Sequence, residues 1–177
     1  MSADCWRRRR LWVKPENGIS VPSAGLRLCG WLTRRQRWRS EVATITIYGL
    51  DLPEEYYRKG FRRKGMEGLL RETFGEPEKG RFTILLAHTP RYWREYLDWG
   101  ASLTLSGHYH GGVCLLGKRR GLITPDYRSR WPLSAREYAT EGTARLTVGA
   151  GAGEHTVPVR IHNPREITLL EIAFGEA

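Results

Sequence analysis

The chain has 177 residues, 40% hydrophobic and 11% aromatic, and its 29 basic against 19 acidic side chains leave a net charge of +10; that length carries one domain with a real core. No apolar run approaches the roughly 20 residues of a membrane-spanning helix, and the opening MSADCWRRRR lacks the pattern of a secretory signal. The three cysteines (Cys5, Cys29, Cys114) are odd in number and widely spaced, which argues against a disulfide framework or a zinc-finger spacing and points to a reducing, cytoplasmic setting.

The charge is unevenly placed. Residues 1–40 hold ten of the 29 basic residues and two of the 19 acidic ones, so +8 of the net +10 lies there, together with four of the seven tryptophans. The chain therefore divides into a basic, Arg/Trp-rich arm over 1–40, expected to be poorly ordered, and a domain over 41–177. Arg pairs with phosphate and Trp stacks on bases, so the arm is suited to nucleic acid or another anionic surface. The domain itself is close to neutral, and nucleic acid is not the partner its composition favours. Within the arm only residues 25–32, GLRLCGWL, alternate as a short strand does.

From residue 41 the pattern changes. EVATITIYGLDLP alternates β-formers and stops at Gly49 and Pro53, which predicts a strand. Residues 54–74 place Met66, Leu69, Leu70 and Phe74 at helical spacing, and Gly60 and Gly65 limit the predicted helix to about the second half. FTILLA, at 82–87, is a continuous apolar run, as in a strand buried on both faces, and it ends at His88. RYWREYLDWG then predicts a short amphipathic helix, with Tyr92, Tyr96 and Trp99 on one face and Gly100 as its C-cap. Residues 101–105 predict a second strand that runs into GHYHGG. Beyond it VCLLG, GLITPDY, TARLTV and EITLLEIAF read as strands, with the Gly-rich GAGAG before the last.

Strand, helix and strand make a crossover unit whose two strands run parallel. Their C-terminal ends share one sheet edge, the edge at which open α/β sheets bind ligands, so His88, His108 and His110 are expected to converge there. Neutral imidazole is a common ligand of zinc, manganese and iron. On an extended chain residues i and i+2 face the same way, which would let His108 and His110 address neighbouring positions. Gly107, Gly111 and Gly112 let the backbone turn sharply beside a small ion or phosphate. The three histidines are the candidate metal ligands; no catalytic residue is assigned.

ILLAHTP, followed some twenty residues later by LTLSGHYHGG, resembles the C-terminal half of a calcineurin-like metallophosphoesterase. GLDLPEEYY before these motifs and GAGAGEHTVPVRIHNPREITLLEI after them extend the likeness from about Thr46 to Ile172. The resemblance implies an α/β fold, the C-terminal half of a β-sandwich flanked by helices, hence an incomplete four-layer αββα arrangement. It implies a phosphoester substrate, hydrolysed by metal-activated water between two divalent ions about 3.5 Å apart. It also implies that His88 and His108 bind one metal and His110 the other.

The family's first half supplies an Asp-x-His, a Gly-Asp whose carboxylate bridges the metals, and a Gly-Asn-His. None of these occurs here, and the only asparagines are Asn17 and Asn163. Two divalent cations a few ångströms apart repel strongly without a bridging anion. At most one metal (manganese, iron or zinc) is therefore expected, in an incomplete site. The chain is expected to be truncated and inactive alone, and to need a separate N-terminal half chain or self-association into a homo-oligomer to cover the open sheet. The alternatives are a non-catalytic metal-binding remnant or interaction module, and nucleic-acid or anionic-surface binding through the basic arm. Asp51 reads as a turn cap, Tyr109 and Cys114 as packing residues, His155 as a surface histidine, and the Gly-rich loop as a weak phosphate signal.

Overall fold

The apolar runs form the parallel centre of a six-stranded sheet. The computed structural model describes residues 7–13, 34–39, 44–57, 65–116, 120–122, 138–153 and 159–172. In it β3 (Thr44–Leu50), β4 (Phe82–Ala87), β5 (Leu103–Ser106) and β9 (Ala144–Val148) lie side by side and parallel. On the outer side of β3 runs the antiparallel β2 (Arg34–Arg39), and on the outer side of β9 the antiparallel β8 (Tyr138–Glu141), giving the order β2-β3-β4-β5-β9-β8.

The central strands are covered on both faces, as the unbroken FTILLA run requires. On one face Tyr48, Leu50, Leu85, Ala87, Leu146 and Val148 pack in one cluster with residues of α1 (Leu69–Phe74) and α2 (Trp93–Trp99). On the other, Ile47, Phe82, Ile84 and Leu103 meet Leu170 and Ile172 of β10 (Glu166–Ile172). Each aliphatic side chain fully buried this way contributes roughly 1.5–3 kcal/mol. β10 pairs in parallel with β1 (Arg7–Val13) as a two-stranded sheet of its own. The result is a mixed α/β fold in which helices, a six-stranded sheet and a two-stranded sheet follow one another. The outer side of β10 leaves Ile167 and Leu169 exposed.

Local signals set α2. Thr89 caps the preceding 3-10 turn, Pro90–Tyr92, by accepting a hydrogen bond from the Arg91 N–H at 3.3 Å. The helix ends at Gly100, whose φ of 88° lies in the left-handed region where glycine carries no Cβ penalty. Tyr92, Tyr96 and Trp99 are all buried, and the Trp99 indole donates to Gly75 O at 2.8 Å while its ring meets Tyr48 edge-on at 4.9 Å.

Two stretches of the basic arm run as strands, β1 along β10 and β2 along β3, whose edges offer backbone N–H and C=O groups to pair. The strand expected over residues 25–32 lies outside the described residues. The strand pieces after the histidine pair form a small antiparallel ladder, β6 (Cys114–Leu116) with β7 (Arg120–Leu122). The helix expected within 54–74 is the short α1, preceded by a 3-10 turn at Glu54–Tyr57.

Candidate metal centre

The parallel crossover brings two strand ends together. His88 follows β4 directly, and the Gly107 N–H, just past β5, donates to His88 O at 3.0 Å. This stitch places the His108 ring against the His88 ring, with centroids 4.8 Å apart and His108 Nδ1 3.1 Å from His88 Nε2. With both rings neutral, one of these nitrogens is the N–H donor and the other the acceptor. The same spacing suits ligation. Two nitrogens each about 2.0–2.1 Å from a shared ion and separated by this distance subtend about 100° at the ion, between octahedral and tetrahedral angles. The N···N distance is thus compatible with two neighbouring positions of one coordination sphere.

The His-x-His stretch itself is not extended, which corrects the i, i+2 argument. His108 (φ 60°), His110 (φ 46°), Gly111 (φ 76°) and Gly112 (φ 74°) all adopt left-handed backbone. For each of the two histidines that conformation costs on the order of 1–3 kcal/mol, so surrounding structure has to impose it. Tyr109 is 1% exposed and anchors the turn from below, and the Gly112 N–H donates to Tyr109 O at 2.6 Å. From the far end of the chain, Asn163 Nδ2 donates to both His110 O and Gly112 O at 2.7 Å. As a consequence the two imidazoles part company. His108 turns to His88, whereas His110 lies over the loop after β9, where a Cβ built on Gly151 or Gly153 would stand 3.6 Å from its Nδ1 or Cε1.

That loop is the third element at this edge. The Gly149 N–H donates to Ser106 O at 2.9 Å, tying β9's end to β5's. The Arg160 guanidinium spans the loop, donating from Nη2 to Ala150 O at 3.1 Å and to Gly153 O. The loop thus presents carbonyls to Arg160, and it supports His110.

Tyr57 walls the histidine pair. Its ring is 5.5 Å from that of His108 and 6.2 Å from that of His88. Partial burial pushes the His88 imidazole below its usual range, favouring the neutral, ligand-competent form. Burial also raises the Tyr57 phenol, with the Asp51 carboxylate adding to the effect, so that hydroxyl stays protonated. The sequence reading missed Tyr57 and the role of Asn163. EEYY carries no pattern that marks its second tyrosine, and Asn163 lies 53 residues from its first partner.

Among the described residues no three His, Cys, Asp or Glu side chains gather into a group able to hold a metal. The structure joins His88 with His108 and gives His110 other surroundings. Asp51 is exposed, Cys114 is half-buried, and His155 lies outside the described residues. No helix among the described residues is long and apolar enough to cross a membrane.

No protein-family model and no solved structure matches the chain. Over 91 residues, 51% of its length, it is 34% identical to the uncharacterized metallophosphoesterase YkuE of Bacillus subtilis (strain 168). The match covers 31% of that relative, so the chain corresponds to under a third of it. This partial similarity to a protein named as a metallophosphoesterase lies beside the His88–His108 contact at the end of two parallel strands.

Proposed function

We propose that the chain is a metallophosphoesterase-type domain carrying an imidazole half-site for one divalent ion, with a phosphoester as the substrate of the completed site. The observation that carries this reading is the 3.1 Å approach of His88 Nε2 to His108 Nδ1 at the C-terminal edge of parallel strands. On this reading His88 and His108 are the ligands of that ion, manganese, iron or zinc. His110 belongs to the position beside it, and the β1–β10 pair is a remnant of a sandwich's second sheet.

A divalent ion in such a site supplies Lewis-acid polarisation of a phosphoryl oxygen and makes water more acidic. The rest is the work of the chain's own residues. His88, whose imidazole partial burial pushes below its usual range, offers a nitrogen lone pair. Tyr57 shields one side of the pair from water. The Gly107–Gly112 turn aims His108 at His88 and rests His110 on the glycine loop.

No Asp-x-His or Gly-Asp motif is present to bridge two ions. Hydrolysis on this reading draws its carboxylates from outside these 177 residues, which alone turn over no substrate. Incubation with bis(p-nitrophenyl) phosphate and manganese tests it: release of nitrophenol at the rate of manganese without protein is expected. Faster release that disappears in His108→Ala would show that the chain completes its own site, and would overturn the half-site. A second reading is a non-catalytic metal-binding module, supported by the absence of Asp-x-His and Gly-Asp motifs from these 177 residues. It predicts metal uptake with no hydrolysis even when a chain bearing Asp-x-His and Gly-Asp motifs is added.

A further inference from the structure

We infer that Asn163 is a positioning residue for the histidine turn, holding the backbone at His110–Gly112 so that the imidazoles on either side of Tyr109 keep their separate stations. The functional meaning of this role rests on the imidazole half-site proposed above; the positioning itself rests on geometry alone.

Asn163 is 2% exposed and uses its amide in an unusual way. Both hydrogens of Nδ2 go to backbone carbonyls, His110 O and Gly112 O, each at 2.7 Å. Two acceptors on the same side fix the amide's orientation, because the flipped amide would set oxygen against oxygen. Its Oδ1 is buried with no hydrogen-bond partner among the described residues. The fit is also close: a Cβ on Gly111 would stand 2.6 Å from Oδ1 and 2.9 Å from Nδ2. Position 111 therefore requires glycine twice over, for its φ of 76° and for the space Asn163 fills.

The segment around Asn163 is itself pinned on both sides. The Ile161 N–H donates to Val113 O at 2.8 Å, in a bridge between Ile161 and Cys114, while the Glu166 N–H donates to Gly151 O at 3.0 Å. Arg160 reaches Ala150 and Gly153. Residues 160–166 thus bracket the histidine turn on one side and the glycine loop on the other, with Asn163 as the contact to the turn. Partners that orient ligands in this way commonly change metal affinity 10–100-fold when removed.

The test uses the full chain with isotope-labelled histidine rings, as wild type and as Asn163→Asp. Aspartate keeps the size but sets carboxylate oxygens against the two carbonyls. Its His110 ring resonances are expected to move while the Trp99 indole N–H signal, reporting the helix-side core, stays in place. Cobalt(II) affinity, read from visible absorption, is expected to fall about 10–100-fold. Unmoved His110 resonances in the folded variant would overturn the inference. Should Asn163→Asp fail to fold, Asn163→Ser and Gly111→Ala carry the same expectation and the same criterion. If wild type takes up no cobalt, the metal reading fails by itself, and the ring resonances still decide the role of Asn163.

Discussion

Tyr57 stands edge-on to His108 with ring centroids 5.5 Å apart, at the open side of a pair that His88 closes from the other. Tyr57 reaches that pair from the 3-10 turn after β3, so four consecutive parallel strand ends, of β3, β4, β5 and β9, each contribute to one edge. Removing its ring by Tyr57→Ala takes away part of the cover over the already exposed His88 and brings the imidazole pKa back up toward the ordinary 6.5. Tyr57→Phe keeps the wall and leaves the His88 titration where it is. Histidine-ring NMR titrations of the three proteins check both expectations.

The pH dependence of stability follows from the direction of the His88 shift. Its folded pKa lies below 6.5, so as pH falls below that value the unfolded chain takes up the proton first. This contribution is fully present above about pH 6.5 and is lost as pH falls through the folded pKa. Thermal midpoints measured from pH 8 to 5 should drop more steeply for wild type than for His88→Gln. Equal slopes would remove His88 as the source.

Two glycines near the site answer differently to a methyl group. Gly111→Ala meets Asn163 at 2.6 Å and requires left-handed alanine, so it should destabilise by about 1–3 kcal/mol or more. Gly153→Ala places its Cβ at ordinary contact, 3.6 Å from His110 Cε1, and should cost under about 0.5 kcal/mol. Denaturant unfolding of the two variants beside wild type makes the comparison.

The core makes a prediction of its own. Trp99 is 2% exposed, donates to Gly75 O and meets both Tyr48 and Phe74. Trp99→Ala should cost about 3–5 kcal/mol. Trp99→Phe retains the aromatic contacts and loses the hydrogen bond, and should cost less. A Trp99→Ala midpoint within a degree of wild type would show that α2 does not pack on the sheet as described.

What was legible in the sequence was what local pattern determines. The FTILLA run gave β4 to the residue, Gly100 marked the end of α2, and the crossover rule placed His88 beside His108. The left-handed turn was not legible, since the residue that holds it is remote in sequence and nothing in GHYHGG announces φ near 50° at two histidines. Extended geometry was the natural expectation, and it would have faced both imidazoles the same way. β1 and β2 were missed because runs of arginine hide the alternation by which a strand is recognised. β8 is four residues long and follows no apolar run.

The central claim is that His88 and His108 share one divalent ion. Cobalt(II) or manganese(II) titration by calorimetry, with metal content by mass spectrometry, on wild type, His88→Ala and His108→Ala tests it most directly. The account predicts one equivalent in wild type and its loss in both variants, so no uptake by wild type contradicts it. Binding that survives either substitution, or two equivalents in wild type, would contradict it.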